Sequence, residues 1–134
     1  MAERPRSVLV VEDDPDLLAL EEDILAEAGY RVASAADGLE ALEQVEREMP
    51  ALILLDMRMP RMNGWEFARE FRARYGHACP IAVITAAENA RLRAQEIDAD
   101  AWLEKPFDLD EVLRLVARHL GPPPAPAPAG APAA

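Results

Sequence analysis

The sequence predicts a doubly wound α/β domain with five parallel strands and five helices. Two observations predict it. Short apolar runs recur along the body of the chain, and segments of helical periodicity fill the gaps between them. Strands separated by helices pair in parallel through right-handed crossovers, which leaves helices on both faces of the sheet.

The elements follow in order. Val8–Val11, Leu52–Leu55 and Ile81–Ile84 are continuous apolar runs, as expected of strands buried on both faces. Ala101–Leu103 is a shorter run of the same kind, and Tyr30–Ala35 alternates more, which suits an edge strand. Between the first two strands, Leu17, Leu20, Ile24 and Ala28 share a helical face, Asp14-Pro15 reads as an N-cap with proline at N1, and Gly29 as the C′ stop. Asp37-Gly38-Leu39-Glu40 reads as a capping box before Leu42, Val45 and Met49. Asn63-Gly64-Trp65-Glu66 is a second, followed by Phe67, Phe71 and Tyr75. Asn89–Ile97 is a poorer helix with a weak apolar face. Asp108 to Glu111 opens the last helix, whose stripe is Leu109, Val112, Leu113, Val116 and Leu120.

The chain has 134 residues, enough for one domain with its own core. Six of its 12 prolines lie in the stretch 121–134, which carries no charge and no large apolar side chain. The expected organisation is therefore a globular body over 1–120 and a disordered Pro/Ala-rich tail over 121–134. The net charge of −11 argues against direct nucleic-acid binding and leaves room for metal cations and basic partners. Cys79 is the single cysteine, so an internal disulfide and a Cys-x-x-Cys zinc site are excluded. No membrane span or secretory signal is legible, and the expected location is cytoplasmic.

Ligands of a doubly wound sheet sit at the C-terminal ends of the strands. Glu12, Asp13 and Asp14 follow the first run, Asp56 the third, Thr85 the fourth, and Glu104 and Lys105 the fifth. Each has a structural reading by itself: helix capping for the first acids, a turn for Asp56, strand propensity for Thr85, a solvated charge for Lys105. Lys105 stands out because the other 13 basic residues are arginine. Taken together, converging carboxylates repel unless a cation joins them or one stays protonated. All-oxygen ligands suit Mg²⁺, and a carboxylate can accept a phosphoryl group as an acyl phosphate. An ammonium and a hydroxyl nearby would neutralise charge on the phosphoryl oxygens.

These residues resemble the receiver domain of bacterial two-component response regulators. The resemblance covers about residues 6–120 and rests on four ordered motifs: Val10-Val11-Glu12-Asp13-Asp14-Pro15, Leu54 through Gly64, Ile84-Thr85-Ala86, and Trp102-Leu103-Glu104-Lys105-Pro106-Phe107. It implies the flavodoxin-like receiver fold with strand order 2-1-3-4-5 and a phosphoprotein, and because only the Pro/Ala stretch follows residue 120 the expectation is a stand-alone, single-domain receiver. By the same resemblance Asp56 accepts the phosphoryl group. Asp13 binds Mg²⁺ directly, Glu12 largely through water, and Arg58 through its backbone carbonyl. Thr85 and Lys105 bind the phosphoryl group, Thr85 and Trp102 form the switch, and Lys105-Pro106 is cis. The implied donor is a cognate histidine kinase or phosphotransfer protein. The Asn89–Ile97 helix has the weakest apolar stripe of the five and lies between Thr85 and Trp102, so the face made by the fourth helix, fifth strand and fifth helix is the expected output surface, acting through protein contacts, and is also a candidate for homodimerisation. The chain departs from the family at Asp98, where glycine is common, and at Trp102, usually Tyr or Phe. Asp98 is expected to adopt the left-handed conformation at small cost.

Rival readings are weaker. An aspartyl-nucleophile phosphatase needs a second aspartate two residues after the first, and Arg58 stands there. A nucleotide- or flavin-binding module needs a glycine-rich loop after the first strand, where this sequence has Glu12-Asp13-Asp14. A phosphorylation-independent interaction domain of receiver descent, and a receiver fragment of a larger regulator or hybrid kinase, remain alternatives. Met57, Met59 and Met62 are expected to pack the loop after the third strand. His77, Cys79 and His119 are read as structural.

Overall fold

The computed structural model describes residues 7–86 and 89–121. Five strands alternate with five helices: β1 (Ser7–Val11), α1 (Pro15–Glu27), β2 (Arg31–Ala35), α2 (Gly38–Arg47), β3 (Leu52–Leu55), α3 (Gly64–Tyr75), β4 (Ile81–Thr85), α4 (Ala90–Glu96), β5 (Ala101–Glu104) and α5 (Leu109–Leu120). The sheet is parallel throughout, in the order β2-β1-β3-β4-β5. The expected tail from residue 122 onward lies outside the described residues.

The strand period of two divides the core. Leu9, Val11, Ile53, Leu55, Ile81 and Val83 point to the side covered by α2, α3 and α4. Val8, Val10, Leu52, Leu54, Ala82 and Ile84 point to the side of α1 and α5. Both faces are covered, which is why these runs are apolar without alternation.

The direction in which strands are added reverses between β1 and β3, since β1 leads to β2 on one side and β3 to β4 on the other. This switch point opens a crevice at the C-terminal edge. There Val11 pairs with Leu55, so the next residues, Glu12 and Asp56, come out side by side.

The helix ends follow local chemistry. Asp14 accepts from the backbone N–H of Asp16 at 3.0 Å and caps α1 with Pro15 behind it. Gly29 has φ 104° and stops that helix in a conformation closed to most side chains. Asn63 and Glu66 form a complete capping box on α3. On α5, the Glu111 carboxylate accepts from the Asp108 N–H at 2.9 Å.

Three expectations are corrected. On α1, Ile24 and Ala28 pack against the core as expected, but Leu20 is 52% exposed, and the buried positions are Glu21 and Leu25, with Leu18 packed beside them. The helix is rotated by about one position from the leucine stripe, which carries a carboxyl into the core. The box at α2 is half a box: Asp37 accepts from Glu40 N, but Glu40 turns back to Ala36 N rather than to Asp37 N. On α5, Val112 and Val116 are buried and Leu113 and Leu120 pack against the core as expected, but Leu115, outside the expected stripe, is buried with them.

Candidate functional site

The site is built from loops that leave the sheet edge together. Asp56 N donates to Val11 O at 3.0 Å, which continues the β1–β3 ladder one residue beyond the strands and fixes Asp56 next to Glu12. Lys105 N donates to Thr85 O at 3.0 Å and does the same for β4 and β5. Lys105-Pro106 is cis, as expected.

The side chains converge. Lys105 Nζ lies 2.6 Å from Glu12 Oε1 and 3.3 Å from Asp56 Oδ2. Asp56 Oδ1 accepts from Met57 N at 2.7 Å, and Glu12 Oε2 from Asp14 N at 3.1 Å. One ligand oxygen from each of Glu12, Asp13 and Asp56 falls within 4.8 Å of the others. Glu12 and Asp56 are buried, while Asp13 faces solvent.

Burial pushes the Glu12 carboxyl up to about 7; the Lys105 hydrogen bond opposes this and the Asp56 charge adds to it. Burial alone would lower the Lys105 ammonium, but its hydrogen bond to Glu12 and the charge of Asp56 hold it above the ordinary lysine value. Three carboxylates and one ammonium leave excess negative charge, and the donors are all hard oxygens. Such a set fits a divalent cation of the Mg²⁺ type.

The β3–α3 loop carries Arg58, whose side chain is exposed. The loop is held down at Gly64, whose N–H donates to Met57 O at 2.8 Å. A Cβ at Gly64 would stand 2.7 Å from the Asp56 carbonyl oxygen and from Met57 Cα. Met57 is fully buried, and Met59 and Met62 pack against the same core, as expected for that cluster. Thr85 is fully buried at the end of β4. Trp102 on β5 is 48% exposed and lies under the Arg91 guanidinium, 5.9 Å from its ring centroid.

The family model of the response regulator receiver domain matches residues 8–117. The chain belongs to the response regulator receiver family. This receiver is 41% identical over 108 residues to response regulator MprA of Mycobacterium leprae, an alignment covering 79% of this chain and 47% of that protein. MprA of a second mycobacterium is 37% identical over 123 residues, covering 88% and 53%. The receiver thus spans about half the length of these curated relatives.

Among solved structures, response regulator TrrA of Thermotoga maritima, in complex with Mg²⁺ and beryllofluoride, superposes with a TM-score of 0.76 at 32% identity, covering 86% of this chain and 99% of that one. The receiver domain of a Pseudomonas aeruginosa sensor histidine kinase, with magnesium in its active site cleft, gives 0.78 at 34% identity, covering 88% and 99%.

The receiver's edge thus brings together Glu12, Asp13, Asp56 and Lys105. Thr85 and Arg58 stand on the adjoining strand end and loop, and Trp102 lies on the edge strand, facing outward. His77 is exposed, and His119 Nδ1 lies 3.1 Å from Leu115 O on its own helix. Cys79 is buried, and burial pushes its thiol up to about 12, so it is no nucleophile.

Two residues were missed. Glu21 is buried on α1, its Oε2 has no hydrogen-bond partner, and burial raises its carboxyl to about 8, with Glu12 and Asp56 adding and Lys105 opposing. The signal for it was the Leu18, Leu25, Ala28 alignment, which passes through position 21. Arg61 has φ 63°, and its Nε donates to the buried Asp37 carboxylate at 2.6 Å. The positive φ of a β3–α3 loop arginine is not legible from composition. Asp98, by contrast, adopts the expected left-handed conformation at φ 53°.

Proposed function

We propose that the chain is a phosphorylation-activated signalling switch that takes a phosphoryl group from a histidine kinase phosphohistidine onto Asp56. The observation that carries the reading is the meeting of Asp56 with Glu12, Asp13 and the chain's single lysine at the switch point of the sheet. A carboxylate oxygen of Asp56 attacks phosphorus. The O–P bond forms as the P–N bond to imidazole breaks, and the leaving imidazole carries away the electron pair and takes up a proton. Lys105 Nζ, already beside Asp56 Oδ2, offsets charge on the phosphoryl oxygens, and Thr85 binds the same group from β4.

Glu12, Asp13, Asp56 and the Arg58 carbonyl would hold Mg²⁺, which when bound supplies further neutralisation of the phosphoryl charge. Beyond self-phosphorylation and autodephosphorylation at Asp56, the chain is read as a non-enzyme. Its body is residues 1–120 and its tail 121–134. The signal leaves through protein contacts on the α4–β5–α5 face, the same face serving any homodimer. No helix among the described residues is long and apolar enough to cross a membrane, and we place the protein in the cytoplasm.

A second reading, favoured by the half-length coverage of the relatives, makes this receiver one module of a longer regulator or hybrid kinase. An immunoblot of the native protein separates the two by size.

The function is tested by incubation with acetyl phosphate or a phosphorylated histidine kinase in Mg²⁺. One hydroxylamine-labile phosphoryl group per chain is expected by intact mass, and none in Asp56→Ala. The same mass shift in that variant moves the acceptor elsewhere. No shift in wild type favours a phosphorylation-independent interaction domain.

A further inference from the structure

Helix α4 is the shortest of the five, at seven residues, and the side chains it buries are those of Ala90 and Ala94. Methyl groups hold a helix weakly. What else fixes α4 is a pair of indoles, one on each flank.

On one flank stands Trp65, in the first turn of α3. Its Nε1 donates to Glu96 Oε1 at 2.9 Å. The Arg93 guanidinium lies over the same ring, 5.8 Å from its centroid, and Arg93 Nη1 reaches Glu96 Oε1 at 3.3 Å. Indole, guanidinium and carboxylate thus form a closed triangle joining α4 to α3. On the other flank Arg91 covers the outward-facing Trp102 of β5.

We infer that Trp65, together with Arg93 and Glu96, latches α4 in its resting position and thereby sets how readily the phosphoryl site switches the α4–β5 face. The inference rests on the switch reading above. The indole of Trp65 bonds Glu96 and lies under Arg93 on α4, and it acts as a positioning residue. With Trp102 outward, Arg91 occupies the ring's outer face. An inward turn of Trp102 removes that contact and leaves the Trp65 triangle, among the described residues, as the side-chain polar tie between α4 and α3. A ligand that binds only the switched state has its apparent affinity reduced by the scarcity of that state. Loosening the latch raises the population and tightens the ligand by the same factor.

The test is calorimetric titration with beryllofluoride in saturating Mg²⁺, using wild type, Trp65→Phe, Glu96→Ala and Glu96→Gln. Trp65→Phe removes the indole donor, and Glu96→Ala removes its acceptor from a half-exposed site where truncation spares the fold. Each is expected to bind beryllofluoride about tenfold more tightly than wild type, the scale of one charge-assisted hydrogen bond. Glu96→Gln keeps an acceptor oxygen for Trp65 Nε1 but loses the charge that pairs with Arg93, and is expected to fall between wild type and Glu96→Ala. The chain has two tryptophans, so Trp65→Phe leaves Trp102 as the one tryptophan, and its selectively excited fluorescence is expected to shift to the blue on binding. Wild-type binding with unchanged or weakened affinity in both Trp65→Phe and Glu96→Ala overturns the latch alone. A wild type that binds no beryllofluoride overturns the switch reading, and the latch with it.

Discussion

At position 21, α1 turns a carboxyl into the core where leucine would pack. Glu21 is raised to about 8 by burial, from an ordinary value of 4.5, with Glu12 and Asp56 adding to the rise and Lys105 opposing it. Between these values the folded chain holds a proton that the unfolded chain releases, so stability falls as pH rises through that window. Glu21→Gln cannot lose the proton. Its melting temperature is expected to match wild type near pH 5 and exceed it increasingly toward pH 9, by roughly 4–8 °C per kcal/mol recovered. Metal-free melts across pH check this; a gap that does not widen with pH contradicts it. Lys105 carries a second prediction. Lys105→Arg exchanges a compact ammonium for a planar fork in a slot where Nζ lies 2.6 Å from one carboxylate and 3.3 Å from another. Phosphorylation should survive while phosphorylation-dependent partner binding fails; normal binding by the phosphorylated variant would return Lys105 to an ordinary ion pair. The sequence made Lys105 legible because it is the single lysine. Glu21 was hidden because its neighbours Leu17 and Leu20 drew the stripe one position away.

The β3–α3 loop depends on α2 for its shape. Asp37 caps α2 at Glu40 N and binds Arg61, and Gly38 N donates to Met62 O at 2.9 Å. Burial works to raise the Asp37 carboxyl, and its hydrogen bonds from Glu40 N and Arg61 outweigh that, holding it below the usual carboxylate value. Asp37→Ala removes the cap and the tie together and is expected to cost about 1–2 kcal/mol or more near neutral pH. Because the native value is depressed, that stability is complete above about pH 4 and lost as pH falls through the lower native value. Denaturant titrations at pH 7 and below pH 4 should therefore show the gap between variant and wild type closing in acid. The elements themselves were largely readable: strand runs, the Asn63 box and the Gly29 stop follow from local chemistry. What local chemistry could not show was which helix face the sheet would select, since α1 and α5 each carry apolar residues on adjoining faces. Nor could it show that Glu40 would reach Ala36, which depends on how the chain enters α2 from β2.

For the molecule as a whole, the net charge of −11 and the convergence of three carboxylates make a cation the expected stabiliser. Millimolar Mg²⁺ should raise the melting temperature by mass action, and Asp13→Asn should flatten the response. An unchanged wild-type curve would remove the metal from the account. The gathering of the acids and lysine was legible because parallel strands deliver their C-terminal loops to one edge, whatever the details of helix packing. The two-indole seating of α4 was not, because Trp65 and Glu96 are far apart in sequence and meet only through the fold. In the proposed switch, the acidic pocket at Asp56 governs the α4–β5 region. Hydrogen exchange with and without beryllofluoride in Mg²⁺ tests it most directly. The largest change in protection outside the pocket is predicted within residues 86–104. An unchanged 86–104 beside a large change at Leu17–Ala28 would place the output on the opposite side and contradict the claim.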